Sequence, residues 1–334
     1  MPSTTGRLLL LDTASLYFRA YFGVPDSVRA PDGTPVNAVR GLLDMIATLV
    51  TEHRPTRLVA CWDDDWRPGF RVAAIPSYKA HRVRSEVAAE GLEPDDAHWV
   101  EEVPPPLVAQ VPVIVEALAA LGIARVGAPG FEADDVIGTL TAHEVAKPEA
   151  ERDRVDVVTG DRDLFQLVDD QAGVRVLYPV KGIRNLLTVD QTVLREKYGV
   201  PTGAAYADMA TLRGDPSDGL PGVVGIGEKT AATLIGRYGT LDGILAARDS
   251  TDPGLTATQR RRLTEASDYL DVAPVVVQVV RSAPVALPAP TPTRPVPDDV
   301  PRAPADPDAL AALVERWGLA SSVRRVTEAL AAQA

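Results

Sequence analysis

Apolar positions along the chain fall into short blocks that end in polar turns. Residues 7–13 (Arg-Leu-Leu-Leu-Leu-Asp-Thr) form such a block. A brief apolar run closed by a polar turn is typical of a strand in a parallel sheet covered on both faces. Residues 58–62, 122–127, 155–159 and 174–178 have the same character. Helical patterning fills the intervals: a stretch after residue 13 reaching about Leu49 and broken at Pro31-Asp32-Gly33, then 107–121, 133–146 and a short piece at 162–169. Strands alternating with helices predict an α/β domain with a mostly parallel central sheet flanked by helices. Beyond about residue 190 the strand signals stop, and 203–283 reads as helices joined by Gly-rich turns. Residues 284–307 hold nine prolines in 24 positions, which predicts an extended linker. Asp306-Pro307 then resembles a helix cap with proline in the first turn, and Leu310, Leu313 and Trp317 share one helical face. Gly318 divides this terminal helical segment.

Composition changes the picture little. The 334 residues are 46% hydrophobic and 24% charged, enough for a large buried core and about two domains. A single cysteine, Cys61, rules out an intramolecular disulfide and fits a reducing cytoplasm. No segment is long and apolar enough for a membrane helix, and Leu8–Leu11 is too short for a signal-peptide core. The net charge of −12 argues against a generally DNA-attracting surface. That average hides segregation. Residues 66–85 carry Arg67, Arg71, Lys79, Arg82 and Arg84 and no acid, whereas 86–102 carry seven acids and no Lys or Arg. The acidic run reads as a solvated face. Arg260-Arg261-Arg262 is a further basic run.

The acids are the informative feature. Asp12 and Asp63 end the first two strands; Glu132, Asp134 and Asp135 open the helix after the third; Asp161 and Asp163 follow the fourth. Asp215 and Asp218 lie in Arg-Gly-Asp-Pro-Ser-Asp-Gly. Ligand sites in open α/β sheets lie beyond the carboxyl ends of the strands, so four strand ends deliver carboxylates to one edge. Any one of them alone is most simply a cap or turn residue. Together they would repel one another unless cations neutralise them, and oxygen donors without Cys or His favour Mg²⁺ or Mn²⁺ over Zn²⁺.

Phe131-Glu132-Ala133-Asp134-Asp135-Val136, Thr159-Gly160-Asp161-Arg162-Asp163-Leu164 and Gly214-Asp215-Pro216-Ser217-Asp218-Gly219-Leu220-Pro221-Gly222 resemble the flap endonuclease/5′→3′ exonuclease superfamily. The resemblance is strongest to the 5′-nuclease domain at the N-terminus of bacterial DNA polymerase I, here as a stand-alone protein. It runs from about residue 7 to about 280. It implies a PIN/5′-nuclease-like sheet, a helical arch at about 66–106 within a core of 1–200, and a helix–three-turn–helix region over 201–283; the linker and the terminal segment 308–334 lie outside it. It implies two Mg²⁺ ions, with Mn²⁺ as a substitute, held directly or through water by Asp12, Asp63, Glu132, Asp134, Asp135, Asp161, Asp163, Asp215 and Asp218. Phe70-Arg71 and Tyr78-Lys79-Ala80-His81-Arg82 are similar to the arch motif. Lys79 and Arg82, three apart on one helical face, are expected at the scissile phosphate, Tyr78 on a base, and Arg19 and Arg71 on DNA. Gly222-Val223-Val224-Gly225-Ile226-Gly227-Glu228-Lys229-Thr230 resembles the helix–three-turn–helix loop, where Gly222, Gly225, Gly227, Lys229 and Thr230 would meet duplex phosphates and a K⁺ ion could sit. Residue 13 is Thr where relatives usually have Gly, and residue 219 is Gly where they usually have Asn.

The implied activity is structure-specific hydrolysis of DNA near 5′ ends at duplex junctions, by two metal ions, in replication and repair. The protein is expected to be a cytoplasmic monomer working beside a separate DNA polymerase. Three rivals stand against it. A catalytically silent junction binder should have lost ligands, and all nine are present. A PIN-type ribonuclease should lack the helix–three-turn–helix unit. A haloacid-dehalogenase-like phosphatase needs a second Asp two residues after the first, where this chain has Ala14.

Overall fold

The computed structural model describes residues 6–83, 100–250, 252–289 and 296–333. Six strands make one sheet in the order β3-β2-β1-β4-β5-β6. They are β1 (Arg7–Asp12), β2 (Arg57–Cys61), β3 (Ala124–Val126), β4 (Arg154–Val158), β5 (Val174–Pro179) and β6 (Leu186–Val189). The first five run parallel, and β6 is antiparallel to β5. The pattern at 7–13 predicts a doubly covered strand, and β1 is one: Leu8 through Leu11 are all at most 1% exposed. Leu8 and Leu10 enter one core with Val59, Cys61, Val155 and Val157, while Leu9 and Leu11 enter a second with Leu58, Ala60 and Val158. Strand β6 carries no clear signal because it is a short edge strand with only Val189 buried.

Helices α1 (Thr13–Gly23), α2 (Asn37–His53) and α4 (Val111–Leu121) add to the second core, and α5 (Ala133–Val145) lies over the first; α3 (Gly69–Ala74) is a short helix between β2 and α4. The helix expected over 107–121 is divided: one turn at Pro105–Val108 precedes α4, whose first turn holds Pro112. The piece expected at 162–169 is a 3₁₀ turn, Asp163–Leu167. The later region is helical: α6 (Gly203–Arg213), α7 (Glu228–Tyr238), α8 (Leu241–Asp249), α9 (Ala257–Glu265) and α10 (Ser267–Val277).

The tail does not stand apart. Asp306 caps α11 (Pro307–Trp317) by accepting from Ala309 N at 2.9 Å, Gly318 closes it at φ 66°, and α12 (Ala320–Ala331) follows. Helix α11 packs on α4 and α12 on α2. Upstream, Leu58 N donates to Asp298 O at 2.8 Å and Val300 N to Thr56 O at 3.0 Å. Strand β3 accompanies only Val59–Cys61, so residues 298–300 pair with the stretch of β2 that β3 leaves open. Arg57 locks the join with Nη2 at 2.6 Å from Asp298 and Nη1 at 2.5 Å from Glu144. The acidic run at 86–102 lies outside the described residues up to 99, as do linker residues 290–295.

Candidate active site

At the carboxyl edge of the sheet lies a cleft of about 560 Å³. Its walls include Asp12, Asp63, Asp64, Glu132, Asp134, Asp161, Asp163 and Asp215, with Lys79 and Arg82 as cations from the arch base and Arg162 beside Asp161. Each acid is placed by its local fold. Asp12 ends β1 and caps α1: Oδ1 accepts from Ser15 N at 3.1 Å and Oδ2 from Thr159 Oγ1 at 2.6 Å. Asp63, two residues past β2, accepts from Ala133 N at 2.7 Å and so orients the start of α5. Asp161 accepts from Asp163 N at 2.8 Å, and Asp215 from Ser217 N at 2.8 Å. Asp134 accepts no hydrogen bond among the described residues.

Burial and crowding keep these groups from ionising freely. Burial raises Asp12 to about 6, with the Asp161 charge adding to it and the bonds from Thr159 and Ser15 opposing it. Asp63 is raised to about 7 by burial, then by Glu132 and Asp12. Asp134 is pushed well above the usual carboxylate range by burial and by Asp161, Asp12 and Glu132. Asp163 is pushed up by burial, Asp161, Asp218 and Asp215. Recessed carboxylates that outnumber the cations beside them, with only oxygen donors, suit a hard divalent ion that would hold them ionised. Among the described residues no three acids close into a tight cage, so the ligand set is open.

Three expected roles are corrected. Asp135 does not line the cleft; it is fully buried, and its oxygens accept from Arg71 at 2.6 and 2.7 Å, from Val280 N at 2.8 Å and from Glu132 N at 3.2 Å. Arg71, expected on DNA, is 2% exposed and spends its donors on Asp135, Glu132 and Val276 O. Tyr78, expected on a base, is 3% exposed and donates to Glu132 at 2.9 and 3.0 Å. A buried carboxylate needs a buried counterion, and that need draws Arg71 inward. The three residues form a scaffold that holds Glu132.

Lys79 and Arg82 do enter the cleft, though not from one α-helical face. Lys79 has left-handed backbone (φ 48°), and Ala80–Arg82 is a 3₁₀ turn. Lys79 Nζ lies 2.6 Å from Glu132 Oε1, and Arg82 Nη2 lies 2.7 Å from Asp218 Oδ1. The arch base is stitched to the 215–220 loop by Lys79 N to Asp218 O (3.0 Å), Arg82 Nη2 to Ser217 O (3.0 Å) and Ser77 Oγ to Gly219 O (2.7 Å). Gly219 is left-handed (φ 74°) and presses on the Ser77 carbonyl, so a Cβ there would overlap it. Val83 bridges Glu101, which brings Glu101 to the cleft wall.

The remaining expected contacts lie elsewhere. The Arg19 guanidinium stands over Gly160, and its Nε is buried without a hydrogen-bond partner. Gly222, Gly225, Gly227, Lys229 and Thr230 do not line the cleft; the last four form a second surface at the start of α7, with Gly222 buried behind it. Gly222 packs against Arg213 O; Gly225 O accepts from Arg262 at 2.8 Å; Gly227 caps α7 with open space over its Cα; Lys229 is exposed. Sequence reading missed Ser15 and Thr159, which orient Asp12, and the aromatic wall of Tyr17, Phe18, Trp62 and Trp66. Thr159 sits inside the motif at 159–164, two residues before Asp161, where its hydroxyl was a signal available to be read; Ser15 lies outside the motifs and meets Asp12 through its backbone N, while its hydroxyl accepts from Gly160 N at 2.9 Å.

Residues 7–199 match the family described as 5'-3' exonuclease, N-terminal resolvase-like domain, and residues 201–298 match 5'-3' exonuclease, C-terminal SAM fold. The chain is 62% identical over 327 residues to a 5'-3' exonuclease of Streptomyces coelicolor, covering 97% of this chain and 100% of that one. It is 35% identical over 283 residues to a Bacillus subtilis 5'-3' exonuclease, 84% of this chain and 85% of the other. DNA polymerase I of Mycobacterium tuberculosis is 40% identical over 268 residues, 77% of this chain but 27% of that enzyme. The fold is shared with the T5 D15 protein co-crystallized with metal ions (TM-score 0.61, 16% identity, 98% and 99% of the two chains). It is shared also with human GEN1 in complex with Holliday junction DNA (TM-score 0.60, 15% identity, 96% and 71%). Matched in both halves and closely related to curated exonucleases, the chain belongs to the 5′–3′ exonuclease family.

Proposed function

We propose that the protein is a Mg²⁺-dependent nuclease that hydrolyses DNA phosphodiesters near 5′ ends at duplex junctions, with Mn²⁺ able to substitute. The observation that carries this reading is the cleft itself: recessed carboxylates from four strand ends and the 215–218 loop, faced by Lys79 and Arg82. Asp12, Asp63, Glu132, Asp134, Asp161, Asp163, Asp215 and Asp218 are the candidates to hold two ions. When bound, such ions supply charge stabilisation to an in-line displacement at phosphorus and to its leaving oxygen. Lys79 and Arg82 contribute positive charge on the arch side of the same phosphate, where their donors meet charge that grows in the transition state. Thr159 and Ser15 keep Asp12 in one rotamer. The Gly222–Thr230 loop offers backbone N–H groups and Lys229 to a duplex, contacts that position DNA without reading sequence. A K⁺ ion in that loop, a partner polymerase, a role in replication and repair, and monomeric action belong to the same reading.

The test offers one 5′-flap DNA, a recessed-end duplex and the all-RNA counterpart of the flap, each with Mg²⁺ and with EDTA. Cleavage of the DNA substrates with Mg²⁺ alone is expected. Preferential cleavage of the RNA, or cleavage that persists in EDTA, would overturn the proposal.

A further inference from the structure

Eight of the nine acids are candidate ligands, yet their counterions divide them. Glu132 holds the Lys79 ammonium at 2.6 Å and Asp218 holds the Arg82 guanidinium at 2.7 Å. Asp12, Asp63, Asp134, Asp161, Asp163 and Asp215 have no Lys or Arg nitrogen within 4.0 Å among the described residues. Lys79 is delivered to Glu132 by backbone. Its left-handed turn is fixed by Lys79 N to Asp218 O at 3.0 Å, and Nζ also donates to Trp66 O at 3.4 Å. Glu132 is saturated: Lys79 takes one oxygen, Arg71 the other, and Tyr78 reaches both. Arg71 and Tyr78 are buried away from the cleft, whereas Lys79 lines it, so Lys79 is the partner of Glu132 that can leave toward the cleft.

We propose that Lys79 is a built-in counterion that competes with a divalent cation for Glu132 in the substrate-free protein, so that loading the ion hands the ammonium to the phosphate. The inference rests on the metal-dependent reading above. Two cations at one carboxylate repel each other, and the repulsion is strong in a recessed site. The coupling is reciprocal: whatever draws Lys79 away from Glu132, including a DNA phosphate, tightens the ion, and the ion frees Lys79 by the same factor. Without metal the cleft is therefore held together by its own lysine, and metal and DNA are loaded cooperatively.

The experiment is a calorimetric titration of the full-length protein with Ca²⁺, for wild type, Lys79→Met and Lys79→Arg, with melting curves at each ion concentration. Lys79→Met removes the charge and keeps the chain length, and should bind Ca²⁺ roughly ten-fold tighter, a coupling of ordinary size between two sites. Its melting temperature should rise more on adding Ca²⁺ than that of wild type, because Glu132 begins without its mobile counterion. Lys79→Arg keeps the competitor and should bind as wild type does. Lys79→Gln, measured alongside, should also bind tighter and covers the case in which Lys79→Met does not fold. If neither neutral variant binds Ca²⁺ more tightly than wild type, the counterion role is overturned while the metal reading stands. If wild type binds no Ca²⁺ at all, the metal reading falls and takes this inference with it.

Discussion

Asp134 and Asp135 sit side by side in the first turn of α5, and helical geometry turns them to different surroundings. Asp134 faces the cleft and accepts no hydrogen bond among the described residues, whereas Asp135 is enclosed and clasped by Arg71 through both oxygens. Substitution should separate chemistry from architecture at this pair. Asp134→Ala is expected to abolish single-turnover cleavage while changing junction affinity only a few-fold, since most DNA affinity comes from phosphate contacts elsewhere. Asp135→Asn leaves the Arg71 charge buried beside a weakened partner and should cost about 3–5 kcal/mol of stability. Its cleavage rate should survive at temperatures where it is folded. Urea unfolding and single-turnover kinetics on both variants decide the matter, and a fully stable but inactive Asp135→Asn protein would restore that residue as a ligand. The strand-end acids were legible because a carboxylate right after an apolar block has a fixed address in a parallel sheet. The split between Asp134 and Asp135 was not, because it depends on Arg71, sixty-odd residues away in sequence, folding beneath α5. Tyr78 and Arg71 were misread for the same reason: a basic, aromatic stretch looks solvated until the acid that neutralises it is located.

In the proposed reading the loop that opens α7 carries its part in DNA binding as an element. Its glycines serve different ends: Gly222 allows backbone to press on Arg213 O, while Gly227 has open space over it and leaves the first N–H groups of α7 accessible. Lys229, exposed in the first turn, adds a charge to that end. Lys229→Ala should weaken binding about equally for different duplex sequences of one junction shape and lower the salt slope by about one unit, as for one lost phosphate contact. Titration of a fluorescent junction at several KCl concentrations reads both, and an unaltered slope would return the loop to a mere tight turn. The Arg260-Arg261-Arg262 run shows how little a charge run says by itself. Arg260 is turned onto the carbonyls that close α8, Arg261 faces solvent near Glu265, and Arg262 reaches Gly225 O. Helices of the later region were legible from Gly-rich punctuation. Edge strand β6 was not, since half-exposed strands of four residues leave no strong period.

Across the whole molecule the decisive feature is the return of the tail to the sheet. Leu310, Leu313, Leu319, Val323, Val326, Ala329 and Leu330 are buried in the same core as α2 and α4, and each of the Leu and Val side chains contributes about 1.5–3 kcal/mol. A chain ended after Ala283 should keep its cleft but lose much stability, seen as a melting temperature well below wild type with cleavage retained in the cold. Loss of cleavage by a truncated protein that still melts cooperatively would show that the tail takes part in catalysis. Proline density predicted an extended segment, yet could not reveal that residues 298–300 complete the flank of β2. At the join, burial works to raise Glu144, but bonds from Lys147, Asp153 N and Arg57 outweigh it and hold the carboxyl below its ordinary 4.5. A depressed folded value means the unfolded chain takes up protons more readily. The stabilisation is therefore complete above about pH 4.5 and fades as pH falls through the folded value. Glu144→Gln should lose about 1.5–3 kcal/mol at pH 7, the worth of hydrogen bonds to a charged group, and show a smaller further loss at pH 4. Equal losses at both pH values would refute that account. The strap at 298–300 also has a consequence for birth rather than for equilibrium. A chain leaving the ribosome presents α2 and the open flank of β2 long before their covers exist, because α12 meets α2 across nearly three hundred residues of sequence. Vectorial folding thus cannot close this face early; the nascent nuclease carries an uncovered apolar wall until its final helices emerge, and chaperones that recognise such walls have their longest opportunity there.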